Sequence, residues 1–227
     1  MKKTAVILAG GSGTRMGKNL PKQFLLLDNK PILFHTLETF LDAYDDLEIV
    51  LVLPEDHLAH WKNQLPASWL SRIKFTTGGA TRYASVQNGL KLAGDEGVIF
   101  VHDGVRCMVS KELIHRCYEE TLKYGSAIPA ITPVDSMRMI TPDGSKIVNR
   151  DHLRIIQTPQ TFLAEVLLKA FEQEYEESFT DEAGVVEKMG EQVHLIEGEW
   201  TNLKITRPID LEIALAILKW KSNPEGL

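Results

Sequence analysis

Short runs rich in Val and Ile alternate with longer stretches whose apolar residues recur at helical spacing, and this rhythm limits the possible folds more than any other feature. The runs at 4–8, 47–53, 73–76, 97–101 and 126–131 predict buried strands. Between them, 31–43, 54–64, 82–93 and 111–124 carry the helical pattern. In the last of these Leu113, Ile114, Cys117, Leu122 and part of Tyr118 share one face, with Ser110 placed to cap the start. Strands that alternate with helices pair in parallel through right-handed crossovers. The expected class is therefore α/β, a Rossmann-like doubly wound, mainly parallel sheet. Ligands of such sheets sit beyond the carboxyl ends of the strands, so the residues just after strands are the ones to inspect.

The rhythm breaks after Pro133. Polar and apolar residues alternate over about 134–154 around Pro142-Asp143-Gly144, which predicts a protruding β-hairpin arm. A lone hairpin cannot bury its own faces, so the arm either lies on the domain or reaches a second subunit. Helices at 164–175 and 182–189, strands at 193–197 and 202–205 and a helix at 208–221 complete the pattern. With 227 residues, no internal repeat and no linker, the expectation is one domain over 1–227.

Charge and cysteine usage narrow the class of partner. Lys and Arg number 25 against 31 Asp and Glu, a net charge of -6, which speaks against a nucleic-acid partner held through its phosphates. An anionic ligand must instead be held by a few locally concentrated cations. Cys107 and Cys117 form no CxxC pair, which fits a reducing compartment. The basic start Met1-Lys2-Lys3-Thr4 and the apolar run 5–9 end at Gly10-Gly11, too soon for a signal-peptide core, and no stretch approaches a membrane span. A cytoplasmic location without a membrane partner is expected.

The strongest local signal is LAGGSGTRMGKNLPKQF at 8–24, in which a strand feeds a glycine-rich loop followed by cations. Glycines let successive amide N–H groups close around an anion, and Arg15 and Lys22 can neutralise phosphate charge. The segment is not a P-loop, because Ser12 and Asn19 occupy positions that need Gly and Ser or Thr. Nor is it a dinucleotide fingerprint, because Met16 stands at the third glycine position. Asp103, directly after a predicted strand, reads equally as a ligand residue or a turn aspartate. His57 and His60 share a helix face without further ligands at suitable spacing and read as exposed, so no protein metal site is expected. Trp61, Trp69, Trp200 and Trp220 are dispersed and read as packing residues.

The 8–24 segment resembles the signature of the pyrimidine nucleotidyltransferases, specifically the 2-C-methyl-D-erythritol 4-phosphate cytidylyltransferases of the non-mevalonate isoprenoid pathway. The likeness continues in order through GGATRYASVQNGL (78–90), VHDGVRCMVS (101–110), PVDSM (133–137), VNRDHLRIIQTPQTF (148–162), FTDEA (179–183) and NLKITRPIDL (202–211). The resemblance implies transfer from CTP to a polyol phosphate with release of pyrophosphate, Mg²⁺ held largely by CTP oxygens and water, and a homodimer. It implies that Arg15, Lys22 and Lys204 stabilise charge on the phosphates. Ala9, Gly10 and Gly11 would give backbone contacts, Gly79 and Ser85 would surround the cytosine, and Asp103 would hold a ribose hydroxyl and the Mg²⁺ environment. Arg106, Ser136, Arg150 and Thr158 would meet the sugar phosphate, with Ser136 and Arg150 reaching the neighbouring subunit on the arm. Arg82 is expected to support its loop or form a surface ion pair, while Asp181 and Glu182 read as either site support or an acidic helix start. The ribitol-5-phosphate cytidylyltransferases have similar motifs, and a non-catalytic CTP-binding regulator would share the fold.

Overall fold

The computed structural model describes residues 1–11 and 21–222. Its strands are β1 (Lys3–Leu8), the two-residue pair β2 (Leu26–Leu27) and β3 (Lys30–Pro31), β4 (Leu47–Leu53), β5 (Ile73–Thr77), β6 (Val98–Asp103) and β7 (Ser126–Ile131). They continue with the arm strands β8 (Met137–Thr141) and β9 (Gly144–Val148), then β10 (Ile155–Ile156), β11 (Gln160–Leu163) and β12 (Leu195–Glu197). The helices are α1 (Ile32–Ala43), α2 (Glu55–Gln64), α3 (Ala67–Leu70), α4 (Arg82–Ala93), α5 (Lys111–Tyr124), α6 (Ala164–Ala170), α7 (Glu182–Lys188) and α8 (Pro208–Ser222).

Alternation along β1 explains why the sheet is covered on both faces. Ala5 and Ile7 join one core cluster with Leu37 and Phe40 of α1 and Leu113 and Ile114 of α5. Val6 points the other way, into a second cluster with Val86 and Leu90 of α4 and Leu167 of α6. A strand buried on both sides has no polar face to show, hence its continuous apolar run. A third cluster places Ile205 and Ala214 against Ile32, Val105 and Met108, and so docks α8 beside the sheet.

The main sheet runs β10-β7-β11-β6-β1-β4-β5, with β12 beside β7. Strands β1, β4, β5 and β6 are mutually parallel. The chain builds outward from β1 through β4 to β5, then returns to lay β6 on the other side of β1. That reversal opens a crevice at the carboxyl ends of β1 and β6, where Leu8 and Asp103 are in register.

Several expectations need correction. β11 carried no strand signal, yet it lies antiparallel between β6 and β7, so the sheet is mixed as well as mainly parallel. The stretch 202–205 forms no strand: the Ile205 N–H goes to the Val105 carbonyl, and buried Asn202 donates from Nδ2 to the Thr158 carbonyl. The helix expected to reach 175 stops at Ala170, because Phe171 and Tyr175 turn onto the ring of Tyr83 at 4.7 and 5.6 Å. On α5, Thr121 takes the buried position one residue before Leu122, which is exposed. Ser110 does cap α5, accepting from the Leu113 N–H. His57 is half-buried against Phe24, and Phe24 stacks on buried Trp61 at 4.1 Å. Trp200 and Trp220 are exposed.

Candidate active site

A cavity of about 470 Å³ opens at the reversal point between β1 and β6, within the usual size range for small-molecule sites. Ala9, Gly10, Gly11, Lys22, Gly79, Ser85, Asp103 and Lys204 all line it, although they are widely separated in sequence. Arg15 lies outside the described residues.

The glycine walls follow from close backbone approach. A Cβ on Gly10 would lie 3.2 Å from the Cα of Gly78, so the two loops touch main chain to main chain. At Gly79 a Cβ would fall 2.5 Å from that of Ala84, and any larger residue would displace the start of α4. Ser85 ties the same loop down: its Oγ accepts from the Gly79 N–H at 3.0 Å and donates to the Thr81 carbonyl at 2.9 Å. Across the cavity, buried Gln23 donates to the carbonyls of Ala9 and Gly11, fixing the exit of β1. Lys22 Nζ donates to the Ile205 carbonyl at 2.9 Å, which joins the first loop to the segment carrying Lys204.

Asp103 sits at the end of β6 among cations. Lys204 Nζ is 2.8 Å from its Oδ2, Arg82 is 3.5 Å from its Oδ1 and Arg106 Nε is 3.8 Å from its Oδ2. Burial opposes its charge, but Arg82, Lys204 and Arg106 outweigh burial and hold the carboxyl well below the usual range. Among the described residues that line the cavity, Lys22, Arg82 and Lys204 against Asp103 give a positive balance on a chain that is acidic overall. Of the two roles expected of Arg82, loop support or a surface ion pair, the second does not hold, because its main partner, Glu182, is fully buried. Asp181 caps α7 by accepting from the Gly184 N–H, and Glu182 reaches the site, so each acid has a separate task.

Thr158 and Arg106 lie behind the cavity wall. Arg106 donates to the Asn202 carbonyl at 2.8 Å, while its Nε is buried without a hydrogen-bond partner. The hydroxyl of Thr158 is part of a buried relay that sequence reading missed. The Asp103 N–H donates to Thr158 Oγ1, and His102 Nδ1 is 3.1 Å from the same oxygen. His102 Nε2 faces the Arg106 carbonyl at 3.2 Å, and a carbonyl only accepts. The imidazole therefore carries its proton on Nε2, and the Thr158 hydroxyl donates to Nδ1. This relay fixes both ends of the 103–106 turn.

Burial holds the His102 ring neutral and pulls its pKa down from 6.5 to about 3. The unfolded chain then binds this proton below pH 6.5 while the folded chain does not, so stability is complete above pH 6.5 and is lost as pH falls. We expect ~1.4 kcal/mol lost per pH unit between pH 6 and 5, with a smaller share from His35, which burial also lowers. Urea unfolding at several pH values checks this; a slope unchanged in His102→Gln would show that another group is responsible.

Ser136 and Arg150 do not join the cavity within one chain. They line a separate hollow at the root of the arm with Met137 and Asn149, and Arg150 donates to the Val134 carbonyl. Along the arm Met139, Ile140 and Ile147 are exposed.

The model of the 2-C-methyl-D-erythritol 4-phosphate cytidylyltransferase family matches residues 3–220. The chain belongs to that family. It is 45% identical to the 2-C-methyl-D-erythritol 4-phosphate cytidylyltransferase of Bacteroides fragilis over 219 residues, 96% of this chain and 100% of the relative. The corresponding protein of Bacteroides thetaiotaomicron is 46% identical over the same share of each chain. Among solved structures, the 2-C-methyl-D-erythritol 4-phosphate cytidylyltransferase of Thermus thermophilus superposes with a TM-score of 0.77 at 31% identity, covering 96% of this chain and 100% of that one. That of Francisella tularensis gives a TM-score of 0.80 at 31% identity, with the same coverage of both chains. Family membership makes this chain a cytidylyltransferase, and the crevice at the sheet reversal is where its cations, glycine loops and carboxylate meet.

Proposed function

We propose that the chain joins CTP to 2-C-methyl-D-erythritol 4-phosphate, releasing pyrophosphate and forming the CDP-linked methylerythritol. The observation that carries this reading is the convergence of Lys22, Asp103 and Lys204 with the loops of Gly10 and Gly79 in one crevice. The comparisons lend nothing to the ribitol phosphate or regulator readings.

No protein nucleophile is needed. A phosphate oxyanion of the acceptor forms the new bond to the α-phosphorus of CTP, while the bond from that phosphorus to the bridging oxygen breaks and pyrophosphate leaves with the electron pair. The difficulty is to bring two anions together and spread the charge that develops in flight, so positioning and electrostatics dominate. Lys22 and Lys204, with Arg15 by resemblance, supply that charge. Gly79 and Ser85 frame the base, Ala9, Gly10 and Gly11 offer backbone to the nucleotide, and Asp103 takes a ribose hydroxyl. Thr158 and Arg106 hold the turn that carries Asp103 and border the acceptor phosphate.

Among the described residues no group of three or more His, Cys, Asp or Glu is placed to hold a metal, and Asp103 is the acidic residue at the cavity. One hard carboxylate oxygen with phosphates and water suits Mg²⁺, which keeps much of its own hydration. When bound, the ion would supply charge neutralisation on the phosphates. The exposed apolar arm, and a hollow lined by Ser136 and Arg150 that is separate from the crevice, support a homodimer in which each arm completes the neighbour's acceptor site. We place this single domain with its arm in the cytoplasm, whose reducing conditions suit the free thiols of Cys107 and Cys117. No helix among the described residues is long and apolar enough to cross a membrane.

The test is pyrophosphate release from CTP and Mg²⁺ with either 2-C-methyl-D-erythritol 4-phosphate or ribitol 5-phosphate. Release with the first alone is expected. Release with ribitol 5-phosphate alone would keep the chemistry and move the substrate; release with neither from a folded, CTP-binding protein would sink the reading.

A further inference from the structure

Glu182 is a buried ionisable group that the mechanism above leaves unused. Glu182 opens α7 with its side chain 1% exposed, and both of its oxygens go to one partner: Arg82 Nη1 at 2.5 Å and Nη2 at 3.0 Å. Arg82 is the first residue of α4, where the positive end of its own helix disfavours a cation. Such a pair is weak evidence of stabilisation, since well-packed apolar residues often replace a buried pair without loss. A second carboxylate, Asp103, lies beyond the pair. Arg82 Nη2 stands 3.5 Å from Asp103 Oδ1, too far for a good hydrogen bond, while Lys204 holds Oδ2 at 2.8 Å.

We propose that Glu182 is a positioning residue for the nucleotide site: by taking both arms of the Arg82 fork, it keeps Arg82 from closing on Asp103 and leaves Oδ1 for the ligand. The inference rests on the reading that Asp103 binds the nucleotide ribose. Without the charge on Glu182, the guanidinium has one carboxylate left within reach, and a forked pair with Asp103 would occupy the oxygen the nucleotide needs. The FTDEA segment thus acts on the site from behind Arg82 rather than by touching substrate.

The experiment uses the full chain with CTP, 2-C-methyl-D-erythritol 4-phosphate and Mg²⁺, and compares Glu182→Gln, the double variant Glu182→Gln/Arg82→Met, and Asp103→Asn. Glu182→Gln is expected to raise KM for CTP about tenfold, with KM for the acceptor nearly unchanged. Removing Arg82 as well is expected to recover most of that loss, which a purely structural role of Glu182 would not allow. An unchanged KM for CTP in Glu182→Gln, or a double variant no better than the single one, overturns the proposal. Asp103→Asn separates the two levels. If it raises KM for CTP while Glu182→Gln does not, the positioning role alone fails; if it leaves KM for CTP unchanged, the ribose reading fails and the positioning role falls with it.

Discussion

Alanine at position 22 is expected to lower kcat by about two to three orders of magnitude, the usual effect of removing one donor aimed at developing charge. The fold should survive. Each hydrogen bond lost with the Lys22 side chain, that to the Ile205 carbonyl among them, costs ~1 kcal/mol against ~5–15 kcal/mol for a typical domain. Single-turnover kinetics with saturating CTP and acceptor, beside a denaturant titration, separate the two effects. A folded variant that turns over near the wild-type rate would remove Lys22 from the chemistry.

Charging the arm should be as damaging, for a different reason. With Ile140 and Ile147 replaced by Lys, the proposed homodimer is expected to sediment as monomers, and turnover should fall by about a hundredfold or more if the arm completes the neighbour's acceptor site as proposed. The exposure of both residues means that the folded monomer loses no packing by the change. A complementation experiment makes the point sharper. Lys22→Ala and Arg150→Ala are each expected to be nearly inactive, yet random mixing should restore about a quarter of the wild-type rate, because half the pairs are mixed and each mixed pair holds one intact site. Mixing without recovery, in exchanging dimers, would place Arg150 in the site of its own chain.

What the sequence made legible follows from how local each signal is. β1 and β4 are read directly, because strands buried on both faces leave an uninterrupted apolar run. The Ser110 cap is read directly as well, since hydroxyl and amide lie within one turn. β11 was not: Gln160 and Thr161 are polar residues in a four-residue strand, and only their burial between two neighbours makes them sheet. The same holds at the site. Gly79 and Asp103 stand on local motifs, whereas the clamp between Arg82 and Glu182 joins residues 100 positions apart and leaves no local trace. The relay through His102 was missed for the opposite reason: a histidine inside an apolar strand looks like a packing residue, and its role shows only when the Thr158 hydroxyl is seen beneath it. The segment 202–205 misled because Leu, Lys and Ile suggest strand, while its backbone is committed to Val105 and Lys22.

The late position of β11 bears on how the chain is made. β6 and β7 leave the ribosome first, yet they cannot sit side by side, since the slot between them belongs to residues 160–163. Until those residues emerge, a nascent chain holds two apolar strand edges with nothing between them, the kind of surface that invites wrong pairing. The arm is synthesised during that interval. The sheet closes only when the chain has run out along the hairpin and back, so the floor of the crevice at Asp103 is finished by a strand from beyond the arm, and a release of synthesis before residue 163 would yield an open-edged fragment rather than a smaller folded domain.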